Sequence, residues 1–389
     1  MVVREQDIDT ATQVRSAAAE LRERLKQEGG VAGIIYHIGS DSGPDPNEAF
    51  ERVVVAEWVR SGIVSWIQGK TPLEDMDVQP NHHPRIGLTY DGRMVRLDES
   101  RFLESIDQLE TGIDFDRDAA PGWHTLIDRR RELGRIRILK THVASPSCSA
   151  HVLSPEAAAC QPLVYRSLAK GHLAHAQELV GPGGVVIISV DDPKFNSVTE
   201  LHENFETMFG DQFDEVGGLV ATETCGVLRA IHGCGQWPVL PVMDTGAVDV
   251  VHYDAYKYSI APLIGKHDVL RGYLQRGGLI AWGGIPQNSE NLSSLAEKLD
   301  ISIRVRSGRD YETMGKELLE RIDDATGMMF GMYLSWLNAV AGEARIDAKS
   351  LNSQTFISAT CGYGSNRWPS LRDFSYALAR RVADEAKSL

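Results

Sequence analysis

Short apolar runs alternate with stretches of helical periodicity along most of this chain. The runs are Val31–Ile38, Ile63–Ile67, Ile136–His142, Val185–Val190, Gly226–His232, Val248–Tyr253, Leu279–Trp282 and Thr355–Ala359. Runs of this length, rich in branched residues and bounded by turn formers, read as buried strands. Between them, apolar positions recur at helical spacing. Ser154-Pro155-Glu156 predicts a helix start, with Ser as cap and Pro at the first helical position, and Gly181-Pro182-Gly183-Gly184 predicts its end. Leu371, Phe374, Leu378 and Val382 follow Pro369-Ser370 at the spacing of a last helix. At the other end, Asp9 or Thr10 is positioned to cap a first helix carrying Ala17, Leu21 and Leu25 on one face and stopping at Gly29-Gly30.

Eight strands, each followed by helical material, predict an α/β chain folded as a single (β/α)8 TIM barrel. The expected layout is an N-terminal helical extension over 1–30 and a catalytic barrel domain over 31–389. Two stretches are too long for ordinary loops and read as insertions after strands 2 and 7. The first, 71–135, holds a hairpin (Arg85–Tyr90, a turn at Asp91-Gly92, then Arg93–Leu97) and a helix. In it the pair His82-His83, just before Pro84, reads as a solvent-exposed loop. The second, 300–352, holds a Met-rich helix around Met328, Met329 and Met332, read as core or lid packing. A doubly wound sheet is the rival. It needs a Gly-rich phosphate loop after its first strand, and Gly39-Ser40-Asp41-Ser42-Gly43 does not fit that fingerprint.

Composition narrows the classes of function. The chain has 389 residues, 42% of them hydrophobic, which suits a globular enzyme with a sizeable core. A net charge of −14 argues against nucleic acid or an anionic membrane as partner. No apolar run approaches the roughly 20 residues of a bilayer span. The opening residues, Met1 to Asp7, have no apolar signal core, so the expected location is cytoplasmic. Five widely spread cysteines (Cys148, Cys160, Cys225, Cys234 and Cys361) predict reduced thiols rather than a disulfide framework.

In a barrel, chemistry sits where the strands end. The expected strand ends deliver Ile38-Gly39-Ser40, Gln68-Gly69-Lys70, His142, Asp191-Asp192, His232 with Cys234, His252 with Asp254, Gly283-Gly284 and Cys361. His232 and Cys234 are two apart, so on an extended strand both project to one side. With Cys361 and the neighbouring Asp254 they form a candidate zinc site, two thiolates and an imidazole with room for a further ligand. Each residue also has an ordinary reading: a buried Cys is usually a small apolar side chain, and a His at a strand end is usually just hydrogen-bonded.

These residues resemble, strand by strand over most of the chain, the C-terminal catalytic barrel of cobalamin-independent methionine synthase. The wider group includes zinc-dependent coenzyme M alkyltransferases and uroporphyrinogen decarboxylase. Ile38-Gly39-Ser40 is similar to the motif that holds the acceptor's carboxylate, and Asp191-Asp192-Pro193 to the Asp-Glu-Pro motif, whose Asp contacts the acceptor's amino group. His232-Gly233-Cys234 resembles the zinc-binding His-x-Cys. Val248 to Asp254 resembles the strand that ends in a zinc-binding Glu. Cys361-Gly362-Tyr363-Gly364-Ser365-Asn366-Arg367 resembles the terminal motif whose Cys is the last zinc ligand. The resemblance implies Zn²⁺ held by His232, Cys234, Asp254 and Cys361, and methyl or other alkyl transfer to a thiol.

Four departures reshape that expectation. Lys70 stands where the family has a Glu for the acceptor's ammonium, which favours a small-molecule thiol bearing an anion; Lys70 facing solvent is the ordinary alternative. Val152 falls where a folate-stacking Trp is expected. Gly283-Gly284-Ile285-Pro286-Gln287 replaces a segment that supplies a proton-donating His, a task reassigned to His142. The chain is also too short to include the second barrel that helps bind polyglutamyl folate. The expected donor is therefore a methyl-corrinoid, free or on a corrinoid protein, or an activated small molecule. Asp191 is free in this reading to pair with Lys70, and Arg367 to hold an anion. The alternatives are a metal-free lyase of the uroporphyrinogen decarboxylase type and a non-catalytic binding barrel.

Overall fold

The structure is a computed structural model. It describes residues 30–38, 45–55, 63–65, 78–192, 197, 199–201, 203–204, 225–233, 235–302, 305, 307–362 and 368–389. The expected first helix, and Gly39, Ser40, Lys70, Cys234 and Arg367, lie outside the described residues. The chain divides into two compact units, one over Asp45–Ala230 and the other over Ile231–Leu389 with residues 30–38.

In the first unit, parallel strands run in the order β2 (Ile63–Ser65), β5 (Ile138–Ala144), β6 (Gly184–Asp191) and β7 (Cys225–Gly233), the last of which crosses into the second unit. The hairpin forms between β3 (Leu88–Tyr90) and β4 (Val95–Leu97), shorter than expected because Pro84–Ile86 form a helical turn and the connecting turn runs on to Met94, whose carbonyl accepts the Asp91 amide. One oxygen of Asp91 accepts the amides of Arg93 and Met94 at 2.9 Å each, and the other accepts Arg96 Nε. A 26-residue helix, Pro155–Val180, begins and ends where the Ser-Pro and Gly signals put it, with Ser154 accepting the Ala157 amide. Its buried Ala157 and Val164 join Ile86, Leu88, Val95, Phe102 and Leu109 in one apolar cluster.

That packing overturns one local reading. His82 and His83 are buried. The His82 ring accepts the Tyr90 amide at 3.0 Å through Nδ1, and His83 donates from Nε2 to the Pro80 carbonyl at 3.3 Å. The two imidazoles satisfy backbone groups beside the hairpin, a long-range demand that a loop sequence does not announce.

In the second unit the order is β7, β8 (Val250–Tyr253), β9 (Leu279–Ile285), β10 (Thr355–Ala359) and β1 (Ile35–Tyr36), again parallel where the register is defined. Their outer side chains meet two long helices, the Met-rich Ile322–Ala344 and the last helix Pro369–Lys387. Leu371, Phe374, Leu378 and Val382 are completely buried there, as is Met329.

The expected closed TIM barrel is not observed. β1 and β2 are edge strands, and among the described residues no hydrogen-bonded pairing joins them into a ring. The architecture is α/β with an open parallel sheet and a small antiparallel hairpin. The run Val31–Ile38 fails to make a full strand because residues 30–33 form a turn, with Gly33 at φ +69° packed against Ala383 and Lys387. Two strand residues are too few to offer pairing on both sides along a staggered barrel wall. Among the described residues no helix is long and apolar enough to cross a membrane.

Candidate functional site

Two polar clusters form where parallel strands end, one in each unit. In the second unit, β7 carries His232 near its end and β8 carries His252. Both rings are buried, with centroids 4.5 Å apart. His252 Nε2 lies 2.9 Å from the Ala359 carbonyl oxygen, which can only accept, so Nε2 carries hydrogen. The two Nδ1 atoms are within hydrogen-bond reach of each other, so one ring donates and the other accepts. Burial favours uncharged rings. His252 Nδ1 is then the acceptor and His232 Nδ1 the donor in this contact. His232 Nε2 lies 3.8 Å from Cys361 Sγ. Gly283 makes room for this arrangement, since a Cβ there would sit 2.2 Å from the Tyr253 carbonyl and 2.9 Å from His252 Nε2.

The spacing fits metal binding. Zinc bonds of about 2.3 Å to sulfur and about 2.0–2.1 Å to nitrogen set the two ligands about 3.6 Å apart in a tetrahedron. It equally fits a thiol hydrogen-bonded to an imidazole. Among the described residues, no group of three or more His, Cys, Asp or Glu is arranged to hold a metal. Cys234, which follows β7 directly, lies outside the described residues.

Asp254 is not brought to this pair by any observed hydrogen bond. It caps the short Ala255–Tyr258 helix, its Oδ1 accepting the Lys257 amide at 2.9 Å. Burial pushes its carboxyl up to about 6, against the stabilising pull of Lys257 and the Tyr256 amide. Ile38, of the expected acceptor motif, is buried beyond the end of β1.

A cleft of about 520 Å³ also belongs to this unit, lined by Trp282, Trp336, Met328, Met332 and Ile260 among others. It is on the opposite side of the sheet from the imidazoles. His252 and Tyr253 are consecutive on β8 and point to opposite faces, and it is Tyr253 that receives the Trp336 indole N–H, at 2.7 Å. No titratable side chain lines the cleft among the described residues.

In the first unit the second cluster lies on β5 and β6. The register pairs His142 with Ser189 and Ala144 with Asp191. Lys140, His142, Ser189 and Asp191 therefore share one face, and all are at most 1% exposed. Ser189 Oγ donates to Asp191 Oδ1 at 2.6 Å, while Oδ2 is buried without a hydrogen bond among the described residues. Burial raises the Asp191 carboxyl and the Lys140 ammonium partly offsets this; burial likewise lowers the Lys140 amine and Asp191 opposes it. Asp192 is held differently: its Oδ2 accepts Ser145 Oγ at 2.7 Å, Ser147 Oγ at 3.0 Å and Asn204 Nδ2 at 3.3 Å. Lys140 was missed by sequence reasoning, although a lysine inside an otherwise apolar strand is itself a signal, since lysine is seldom buried.

On the other face of β5, Thr141 Oγ1 hydrogen-bonds His172 Nε2, and His172 Nδ1 meets Asp114 at 3.4 Å. The order hydroxyl–imidazole–carboxylate is that of a nucleophile triad. Thr141 and His172 are sealed between strand and helix, however, and Asp114 also receives Trp123 and His175. This network staples the Pro155–Val180 helix to β5.

The structure thus brings together His232 with Cys361, and Asp191 with His142 on one strand-pair face. Comparison with protein-family models finds no match, and no curated protein matches the chain.

Proposed function

We propose that this chain transfers an alkyl group to a thiol in a zinc-dependent reaction, with His232, Cys361 and Cys234 as the metal ligands. The observation that carries the reading is the 3.8 Å approach of Cys361 Sγ to His232 Nε2 where two parallel strands end. Two cysteines and one histidine are a recurrent zinc set that keeps a fourth position open. When bound, zinc supplies the deprotonation of an incoming thiol, whose ordinary pKa near 8.5 leaves it mostly protonated at neutral pH. Cys234 and Cys361, as thiolates, cancel the ion's charge and keep an incoming sulfur electron-rich. His232 presents nitrogen at a fixed angle. Asp191 and His142 are the groups proposed to bind and protonate, with Lys70 and Arg367 favouring an anionic thiol acceptor. The donor in this reading is a methyl-corrinoid or an activated small molecule.

A metal-free reading has one observation in its favour, since the same spacing suits a Cys361–His232 thiol–imidazole pair. Zinc per chain decides between them. About one zinc per wild-type chain and none in Cys361→Ser or Cys234→Ser is the expected result. No zinc in wild type, even after supplying it, would leave the thiol–imidazole pair.

A further inference from the structure

We propose that Lys140 is the positioning residue for Asp191. Its ammonium holds the buried carboxylate in the ionised form, so Asp191 meets the substrate as a hydrogen-bond acceptor and proton donation is left to His142. The inference rests on the binding role given to Asp191 above and deepens it by adding Lys140, to which that reading gives no part.

The geometry comes from strand register. β5 and β6 pair Lys140 with Ile187, His142 with Ser189 and Ala144 with Asp191. Side chains two apart on a strand share a face, so Lys140 and His142 point to the same side as Ser189 and Asp191. The flexible four-carbon stem of a lysine carries its ammonium along that face toward the carboxylate. Both side chains are sealed from water, with Lys140 and Asp191 each 1% exposed.

Hydrogen bonds alone do not hold the charge on Asp191. Among the described residues Oδ1 accepts Ser189 Oγ at 2.6 Å, and Oδ2 is buried without a hydrogen bond. The next residue, Asp192, has three donors on one oxygen, and as a like charge it disfavours ionisation of Asp191. A carboxylate stripped of water and given one donor takes up a proton unless a cation stands near. Charged or titratable groups face Asp191 from two elements, Lys140 and His142 from β5 and Asp192 from the end of β6. Lys140 supplies the opposing pull, and Asp191 in turn keeps the amine charged against its own burial. A lysine in a strand core is costly unless its charge is offset in this way.

The test follows both partners by NMR on the full-length protein, with isotope-labelled aspartate carboxyl and lysine Cε carbons. Asp191→Asn and Lys140→Met identify the two signals by their loss, and each variant then reports on the partner that remains. Lys140→Gln is carried beside Lys140→Met as a polar replacement, and far-UV circular dichroism and thermal unfolding check every fold. In both Lys140 variants the Asp191 midpoint is expected to rise by about one pH unit or more. In Asp191→Asn the Lys140 midpoint is expected to fall by a similar amount, because the coupling between two charges is reciprocal. Unchanged midpoints in all variants would overturn the role of Lys140. A shift of one partner without the matching shift of the other would assign the effect to packing and also overturn it. Neither titration needs zinc or turnover, so absence of zinc from the wild-type chain would remove the metal reading separately.

Discussion

Burial of His83 has a consequence for stability that is read at one residue. Desolvation lowers its pKa to about 4, against the pull of Asp116 and of its own bond to Pro80. In the unfolded chain the same imidazole titrates near 6.5. Between those values the unfolded state binds the extra proton, so stability falls as pH drops through this window and levels off below about 4. The slope is about 1.4 kcal/mol per pH unit, or about 3 kcal/mol over the window. His83→Gln keeps a donor for the Pro80 carbonyl and has no proton to gain. Urea unfolding at pH 7 and pH 4.5 is expected to show a smaller difference for the variant; an unchanged pH dependence would assign the effect to other groups. At Asp192 the same scale of reasoning gives a mutational cost. Asp192→Ala would strip an acceptor from Ser145, Ser147 and Asn204, and is expected to destabilise by about 2–3 kcal/mol in chemical denaturation.

At the level of elements, local signals and long-range packing divide the work. Ser154-Pro155 starts its helix where its chemistry dictates, because a Ser oxygen on the Ala157 amide and a Pro at the first position act within one turn. Ser154→Ala is expected to lower stability by about 1 kcal/mol, and Ser154→Gly by only a few tenths; equal midpoints for both in urea would argue against the cap. The apolar run at 31–38 behaves otherwise. It has the composition of a strand, yet positive φ at Gly30 and Gly33 turns its first half, and only Ile35 and Tyr36 pair with β10. Strand β5 instead slides two residues beyond its expected start and end, because its register with β6 extends pairing to Ala144 and Asp191.

For the whole molecule, the proposed metal site is expected to add stability without creating the fold. The strand that carries His232 and the strand that precedes Cys361 are packed by apolar and aromatic side chains of their own, including Ile231, Phe356 and Ile357. Chelation with EDTA should therefore leave far-UV circular dichroism unchanged and lower the thermal midpoint. A ligand at 100 times its dissociation constant stabilises by about 2.7 kcal/mol, which bounds the shift. Loss of secondary structure on chelation would mean that the metal is structural, not catalytic.

Most strand segments and the helices Pro155–Val180 and Pro369–Lys387 were legible in the sequence, because apolar periodicity and caps act locally, and His232 and Cys361 stood out as chemically distinctive residues near strand ends. Their meeting at 3.8 Å was only a hypothesis until the strands were paired. Sheet closure was not legible, since it depends on the length and stagger of strands whose partners are hundreds of residues away. Neither was the burial of His82, His83 and Lys140. An imidazole or an amine has the same local propensity whether it faces water or a carbonyl, and only the tertiary structure decides which it meets.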